Sequence, residues 1–211
     1  MESALRQGGA EPGLRLIETL GWDGAQLVRG ERHLARLARS AAALGWDCDV
    51  DAARAALLAG REGPARLRLT LDREGRIEVQ AGPMPVNPAV WRVGLAQARL
   101  DAGDPWLRIK TTRRAIYDAA RAELPKGLDE VMFLNGAGEV CEGTITNLFF
   151  ERGGRIFTPP LACGLLPGVF REEMLETGRV EEVVLMAEDL SKLRFSVANS
   201  LRGIIPGLWI T

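Results

Sequence analysis

One lysine of this sequence lies where it could carry covalent chemistry. Lys110 is part of the run Leu-Arg-Ile-Lys-Thr-Thr-Arg-Arg at positions 107–114. A lysine amine is nucleophilic only when it is neutral, and burial or nearby cations depress its pKa and make that possible. Arg108, Arg113 and Arg114 would supply such cations. Taken alone, the segment fits a surface lysine in a basic patch better than a catalytic one.

A carboxylate follows a predicted strand at Glu142, the first residue of Glu-Gly-Thr-Ile-Thr-Asn at 142–147. A carboxylate fixed near a pyridine nitrogen would keep that nitrogen protonated, and the ring would then accept electron density from a carbanion more readily. In isolation, a turn carboxylate that caps local backbone N–H groups is the more common explanation.

Two turns could bind an anion. Pro167 and Gly168 directly precede a predicted helix, and the N–H groups at a helix start, together with the helix dipole, favour phosphate. The run Asn-Ser-Leu-Arg-Gly at 199–203 offers an amide, a hydroxyl and a guanidinium, which suit a second phosphate contact or a carboxylate clamp. An ordinary strand–helix turn and a polar β-turn are the alternatives.

The first predicted helix has a basic face at Arg32, Arg36 and Arg39, for which solvation is the default explanation. His33 lies at the edge of the apolar stripe and is interpreted as a satisfied helix-surface histidine. No single motif is decisive. Their order along the chain carries more weight: Arg36, Lys110, Glu142, the 167–168 turn and Ser200.

In that order the motifs resemble the fold-type IV pyridoxal-phosphate family, which contains branched-chain aminotransferases, D-amino-acid aminotransferases and aminodeoxychorismate lyases. The resemblance implies pyridoxal 5′-phosphate as cofactor and Lys110 as the Schiff-base lysine. His-Leu-Ala-Arg-Leu at 33–37 is similar to the family's helix motif, whose arginine binds the cofactor phosphate, and this points to Arg36. Glu-Gly-Thr-Ile-Thr-Asn-Leu-Phe at 142–149 is similar to the signature whose glutamate, here Glu142, meets the pyridine nitrogen.

Further residues follow from the same resemblance. The implied cofactor contacts include Asn147 of the signature, the backbone N–H groups of Val169 and Phe170, and the hydroxyl of Ser200. Guanidinium groups bind carboxylates in bidentate fashion. Arg114 and Arg202, with Arg108 and Arg113 as further candidates, are therefore expected to bind substrate carboxylates. Tyr117, seven residues after the lysine, is not expected to replace the tyrosine that aminotransferases of the family place near the cofactor's phenolic oxygen.

Within the family, Lys-Thr-Thr-Arg-Arg together with Asn-Ser-Leu-Arg-Gly resembles the lyase branch. This implies conversion of 4-amino-4-deoxychorismate to 4-aminobenzoate and pyruvate, a step toward folate. An aminotransferase acting on branched-chain or D-amino acids is the alternative. The family usually has about two extra strands and a turn before the segment 14–20, and this late start motivates a third hypothesis, a non-catalytic cofactor-binding paralogue.

Hairpin-rich blocks of strands and helices must position these residues, so the sequence predicts an α+β (mixed α/β) fold. Strands are expected at 14–20, 25–29, 65–71, 76–81, 90–98, 129–134, 139–141, 147–151, 180–186, 194–198 and 203–210. Helices are expected at 31–44, 51–59, 112–124, 167–177 and 187–192. Three prolines within residues 82–88 predict a linker, which divides the chain into an N-terminal subdomain (1–84) and a larger cofactor-binding subdomain (85–211).

Composition excludes several classes of function. The chain has 211 residues, of which 46% are hydrophobic and 26% charged, and a net charge of −1 gives no electrostatic case for nucleic acid or an anionic membrane. Its apolar runs are too short to cross a bilayer. Three widely spaced cysteines and one histidine offer no zinc spacing, so no metal is expected and the thiols are interpreted as reduced. We expect a cytoplasmic protein and, from the family resemblance alone, a homodimer.

Overall fold

The computed structural model describes residues 2–210, which divide into two compact units. The first unit runs to Val86 and includes Ile109–Arg113, and the second comprises Asn87–Arg108 and the chain from Arg114 onward. The mixture of helices and strands confirms the predicted class. The sequence predicted a single division of the chain, between residues 84 and 85. It did not predict that Ile109–Arg113 belongs to the first unit. This placement follows from backbone pairing, because the Ile17 N–H donates to the Lys110 carbonyl at 2.8 Å.

The first unit packs helices on an antiparallel sheet with the order β1-β2-β3. Its elements are α1 (Glu2–Gly8), β1 (Leu16–Trp22), α2 (Gly30–Leu44), α3 (Val50–Leu58), β2 (Ala65–Leu71) and β3 (Ile77–Gly82). The apolar stripe predicted for the first helix is buried at Leu34, Leu37 and Leu44. Gly45 ends that helix in the left-handed conformation, with φ of 71°. The stripe thus fixes the face of α2 that meets the unit's interior.

The strand predicted at 25–29 is wrong. An isolated bridge joins Trp22 to Leu27, and the Val28 N–H donates to the Gly21 carbonyl at 2.8 Å, but no continuous strand forms. The Asp23 carboxylate accepts hydrogen bonds from the backbone N–H groups of Ala25 and Gln26, both at 2.8 Å. This side-chain turn competes with strand pairing. The segment therefore forms a loop that leads into α2.

The second unit is built on a mixed sheet with the order β10-β11-β4-β5-β6-β7-β8-β9. Its strands are β4 (Trp91–Leu100), β5 (Glu130–Asn135), β6 (Val140–Gly143), β7 (Asn147–Arg152), β8 (Arg155–Thr158), β9 (Glu181–Glu182), β10 (Phe195–Asn199) and β11 (Gly203–Trp209), and its helices are α4 (Ala115–Ala122), α5 (Val169–Glu176) and α6 (Ala187–Leu190). Strand β10 pairs with both β11 and β7, so the ladder closes on itself. Met132, Leu148 and Val197 are among the residues that fill its core.

Two predicted elements of the second unit differ from the structure. The strand predicted at 180–186 is reduced to Glu181–Glu182, because Val183 and Leu185 instead make separate backbone bonds to Thr158 and Val140. The helix predicted at 112–124 starts only at Ala115, since the Thr112 N–H is held by the Arg15 carbonyl at 2.9 Å. The true helix is therefore shorter at its start.

Two structural features, a membrane-spanning helix and a cluster of metal ligands, are absent from the described part of the chain. Among residues 2–210, no helix has the length and apolar character to cross a bilayer. In the same range, no group of three or more histidine, cysteine or acidic side chains could hold a metal ion. The three cysteines are free thiols. Burial raises the pKa of the Cys141 and Cys163 thiols to about 12, so both are poor nucleophiles near neutral pH.

Candidate active site

A buried ion pair joins β1 to α2 in the first unit. The Arg36 guanidinium donates to both oxygens of the Glu18 carboxylate, Nε to Oε1 at 2.8 Å and Nη2 to Oε2 at 2.6 Å. His33 Nδ1 lies 2.6 Å from the same Oε2. The side chains of Glu18 and Arg36 are 3% and 6% exposed. The Arg36 guanidinium, which the sequence predicts to bind a phosphate, is therefore oriented by the Glu18 carboxylate.

The charges of this cluster follow from its contacts. Burial opposes the ionised form of Glu18, but the Arg36 charge and the His33 and Arg36 hydrogen bonds outweigh it, and the pKa of Glu18 falls to about 2. Burial lowers the pKa of His33, although Glu18 acts in the opposite direction. We infer that His33 is neutral with its proton on Nδ1, because that nitrogen faces an ionised oxygen. His33 is thus a buried residue and not the helix-surface histidine that the sequence predicted.

Lys110 belongs to the first unit and lies beside this cluster. Its backbone is held against β1 by the bond from Ile17, and the next residue forms an antiparallel bridge, Thr111 to Leu16. The Lys110 side chain is half-buried. Its charge contributes to the lowered pKa of His33, so the two side chains interact electrostatically. The structure therefore places Lys110 and Arg36, two of the predicted residues, in one neighbourhood.

In the second unit, the candidate site residues are arranged around Glu142. It is the penultimate residue of strand β6 and is 5% exposed. Tyr117 Oη donates to Glu142 Oε1 at 2.7 Å, and Asn147 Nδ2 reaches Oε2 at 3.4 Å. Burial raises the pKa of Tyr117, and the charge of Glu142 adds to that rise, so the hydroxyl remains a donor. The predicted carboxylate is therefore buried and held on both of its oxygens.

Asn147 links this carboxylate to the predicted phosphate turn. Its Nδ2 also donates to the Leu166 carbonyl at 3.1 Å. A Cβ on Gly168 would fall 1.9 Å from Asn147 Oδ1, so a side chain at 168 would displace the amide. Helix α5 begins at Val169, and Gly168 has no side chain with which to cap its first turn. The first N–H groups of this helix are therefore not covered by a capping side chain from residue 168. A helix start of this kind is suited to binding an anion.

The turn that carries Ser200 is tied to the same group. Asn199 Oδ1 accepts the N–H groups of Leu201 and Arg202, at 3.1 and 2.8 Å. Its Nδ2 donates to the Ile145 carbonyl at 3.1 Å. Ser200 itself is 8% exposed. Within the second unit, the structure thus connects Glu142, Asn147, the turn before α5 and the Ser200 turn.

The loop after Glu142 is organised by Glu130, which the sequence analysis missed. This fully buried carboxylate accepts the Thr144 hydroxyl at 2.5 Å and the Thr146 hydroxyl at 3.0 Å. A Cβ on Gly143 would lie 2.8 Å from the same carboxylate, which explains a glycine after Glu142. The available signal was an acidic residue at the start of a strongly apolar predicted strand.

The four candidate substrate arginines lie in different surroundings. Arg114 donates to Asp118 at 2.7 Å and to the Thr144 carbonyl at 3.1 Å, beside the Glu142 loop. Arg202 donates to Asn87 at 2.9 Å and stacks over the Trp91 ring. In the same unit, Arg108 interacts electrostatically with Glu142. Arg113 pairs with Glu11 in the first unit at 3.0 Å, and both side chains are about half exposed.

Two other contact residues were absent from the predicted set or set aside. Glu18 was not named, although a charged residue inside the apolar run of β1 is a signal of buried pairing. Tyr117 was considered only for the phenolic oxygen of the cofactor. Its contact with Glu142 joins residues 25 positions apart and has no local sequence signal.

Comparison with known proteins identifies relatives of this chain. Residues 15–208 match the model of the family described as "Amino-transferase class IV". A "Putative aminodeoxychorismate lyase" of Schizosaccharomyces pombe is 34% identical over 176 residues, which cover 79% of this chain and 75% of that protein. The crystal structure of a "Putative amino-acid aminotransferase" from Mesorhizobium loti is 45% identical, covers 93% of this chain and 100% of its own, and has a TM-score of 0.89. The crystal structure of 4-amino-4-deoxychorismate lyase from Pseudomonas aeruginosa is 26% identical, covers 92% and 82%, and has a TM-score of 0.77.

Proposed function

This chain belongs to the class IV aminotransferase family, and from that premise we propose that it is a lyase that converts 4-amino-4-deoxychorismate to 4-aminobenzoate and pyruvate. The family depends on pyridoxal 5′-phosphate, and the chain is a pyridoxal-phosphate-dependent lyase or aminotransferase. Its fold is that of the fold-type IV aminotransferases. The identity of the reaction and the roles of individual residues are the proposal.

The residues present fit this cofactor by their chemistry. A phosphate needs cations and N–H donors, which Arg36 and the start of α5 offer. The close approach of Asn147 to Gly168 leaves room for no side chain there, as a backbone anion site requires. A pyridine nitrogen needs a carboxylate to remain protonated, and Glu142 is a buried carboxylate whose Oε1 accepts a hydrogen bond from Tyr117. The aldehyde needs an amine, which Lys110 provides.

We assign the contacts accordingly. Lys110 would hold the aldehyde, Glu142 would face the ring nitrogen, and Asn147 would keep the Glu142 loop in register with the turn before α5. The phosphate would be held by a set of cationic, backbone and hydroxyl donors: Arg36, the N–H groups of Val169 and Phe170, and Ser200. When bound, the cofactor supplies an electron sink conjugated to the substrate amine.

The proton chemistry is assigned to Lys110. Its neutral amine takes the proton from the amine-bearing carbon of the substrate and acts as a general base. The C–O bond to the neighbouring enolpyruvyl group then breaks. The resulting ammonium returns a proton to the departing enolpyruvate, which leaves as pyruvate. The six-membered ring becomes aromatic, and 4-aminobenzoate is the second product. Arg114 and Arg202 are proposed to bind the two substrate carboxylates.

The lyase assignment depends chiefly on one observation, the 34% identity with the S. pombe relative over 79% of this chain. The run Lys-Thr-Thr-Arg-Arg after residue 109 supports the same branch. Release of two products from one substrate needs no amino acceptor. This property separates a lyase from an aminotransferase experimentally.

An aminotransferase acting on branched-chain or D-amino acids is the second candidate. It is favoured by the 45% identity and full coverage of the Mesorhizobium loti structure, which is named as an amino-acid aminotransferase. In that reaction Lys110 would move the same proton to a different carbon, and a keto acid would be required as acceptor. The residues that we assign are shared by both reactions.

A single assay distinguishes the two. Protein loaded with pyridoxal phosphate is mixed with 4-amino-4-deoxychorismate in the absence of any keto acid, and pyruvate and 4-aminobenzoate are quantified. The lyase predicts both products in a 1:1 ratio, and Glu142→Gln as a matched variant should form them much more slowly. Absence of both products, together with turnover of valine or D-alanine that depends on a keto acid, would replace the lyase by the aminotransferase.

A further inference from the structure

We propose that Tyr117 is a positioning residue for Glu142, and that its hydroxyl fixes the carboxylate in the orientation required at the cofactor's ring nitrogen. The inference rests on the function proposed above and adds a residue to it. Tyr117 is the only tyrosine of the sequence and lies on α4, outside the signature that contains Glu142.

The hydrogen bonds to Glu142 are unequal. Tyr117 Oη to Oε1 at 2.7 Å has the length of a well-formed O–H···O bond. Asn147 Nδ2 to Oε2 at 3.4 Å is long for N–H···O. Asn147 Nδ2 also donates to the Leu166 carbonyl at 3.1 Å, so this amide group is divided between two acceptors. Of these two donors, the tyrosine hydroxyl therefore gives the tighter restraint on carboxylate rotation.

The phenol ring is itself held in place. Its edge-to-face contact with Phe133 has a centroid separation of 5.1 Å and an interplanar angle of 68°. On another side, the Arg114 guanidinium lies 5.7 Å from the ring centroid and is anchored to the Thr144 carbonyl at 3.1 Å. These two contacts restrict the ring, so the hydroxyl has a defined position relative to the carboxylate. This rigidity is what a positioning role requires.

The hydroxyl also has the right protonation state. Burial raises the pKa of Tyr117, the charges of Glu142 and Cys141 raise it further, and Arg114 opposes them. The phenol therefore stays protonated far above neutral pH and acts as a donor. A neutral donor orients a carboxylate and leaves its charge intact, whereas a guanidinium in the same place would neutralise it. The Tyr117 contact itself therefore leaves the negative charge of Glu142 in place, a charge that also interacts with Arg108.

The first test is a double-mutant cycle on cofactor affinity. The dissociation constant for pyridoxal phosphate is measured by spectroscopic titration of wild type, Tyr117→Phe, Glu142→Gln and the double variant. We expect Tyr117→Phe to weaken binding about tenfold in the wild-type background, as for the loss of one hydrogen bond to a charged group. In the Glu142→Gln background the same change should have almost no effect, because coupled residues are not additive.

The other outcomes of the titration distinguish failure of the positioning role from failure of the proposed function. Equal weakening in both backgrounds, or no weakening in either, overturns the positioning role while the proposed function stands. A wild type that binds no cofactor overturns the proposed function and the inference with it. Thr70→Val removes a buried hydroxyl of the first unit and serves as the matched control, with unchanged cofactor affinity expected.

The second test needs no cofactor and no variant of Tyr117. Protein with ¹³Cζ-labelled tyrosine gives one resonance, because the sequence has one tyrosine. We expect this resonance not to titrate near the ordinary value of 10.0, and to titrate at lower pH in Glu142→Gln. Titration near 10 in the wild type, or titration of the wild type and Glu142→Gln at the same pH, would overturn the inference.

Discussion

Two buried carboxylates, Glu18 in the first unit and Glu142 in the second, are held in opposite ways. Glu18 receives two hydrogen bonds from the Arg36 guanidinium, so its charge is compensated within the protein. The donors that reach Glu142 from Tyr117 and Asn147 are neutral. Residue exposure is nearly the same, 3% and 5%, so burial does not distinguish them.

The difference indicates what each carboxylate is for. A compensated carboxylate cross-links β1 to α2 and orients the arginine, and the cost of burying both charges is offset by their attraction. Neutral donors orient a carboxylate without cancelling its charge, so Glu142, which also interacts electrostatically with Arg108, can still attract a cationic partner. On the function proposed here, that partner is the protonated ring nitrogen of the cofactor. The contrast leads to predictions for each side.

The largest effect on stability is expected at Arg36. Arg36→Met removes the cation and leaves Glu18 buried, which should lower the free energy of unfolding of the cofactor-free protein by about 3–5 kcal/mol. Glu142→Gln, the matched change on the other side, keeps its size and should cost less than about 1.5 kcal/mol. Urea unfolding at pH 7 measures both. A cost below about 1 kcal/mol for Arg36→Met would show that the pair does not hold the first unit together.

The pH dependence of stability should report the same pair. The folded pKa of Glu18 is lowered from 4.5 to about 2, so its stabilisation is fully present above pH 4.5 and is lost as the pH falls toward 2. The loss should amount to about 3 kcal/mol in the free energy of unfolding. His33, whose pKa is also lowered, adds a loss that begins below pH 6.5, because the unfolded chain takes up that proton first.

Urea unfolding between pH 7 and pH 2 measures this curve, and Glu18→Gln is the comparison. The variant should be less stable at pH 7 and lose less on acidification. Parallel curves for the two proteins would show that Glu18 is not the group that titrates.

A smaller effect is expected at the turn before α5. In Gly168→Ala, the new Cβ would lie 1.9 Å from Asn147 Oδ1, so the amide must move. We expect a stability loss of about 1–3 kcal/mol and weaker binding of pyridoxal phosphate, measured by thermal unfolding and by titration. Gly136→Ala is the control, since a Cβ there meets open space. Equal affinity for the cofactor in both variants would argue against a phosphate at this turn.

Much of the fold was predictable because local periodicity and breakers dictate it. The apolar stripe with Gly45 gave α2, and the alternation on either side of residues 72–75 gave the β2–β3 hairpin. The strand predicted at 25–29 failed because Asp23 forms a side-chain turn, which outweighs the apolar pattern of the segment. The helix predicted from 112 failed at its start because Thr112 pairs with Arg15, 97 residues away in sequence. Long-range pairing of this kind has no signal in a local window.

The candidate site shows the same division. The order of Arg36, Lys110, Glu142 and Ser200 was visible as a family pattern. The partners that orient them were not, because contacts of Glu18 with Arg36 and of Tyr117 with Glu142 join distant segments. The sequence therefore predicts the candidate residues, and the fold shows the contacts that hold them.

The most direct test of the account is the site at which pyridoxal phosphate attaches. The chain has three lysines, Lys110, Lys126 and Lys192, so peptide mapping after borohydride reduction identifies the attached one without ambiguity. We predict a visible absorption band that borohydride bleaches, with the label on Lys110 and none in Lys110→Ala. A wild type that gains no band with added cofactor, or a label found on Lys126 or Lys192, would contradict the account.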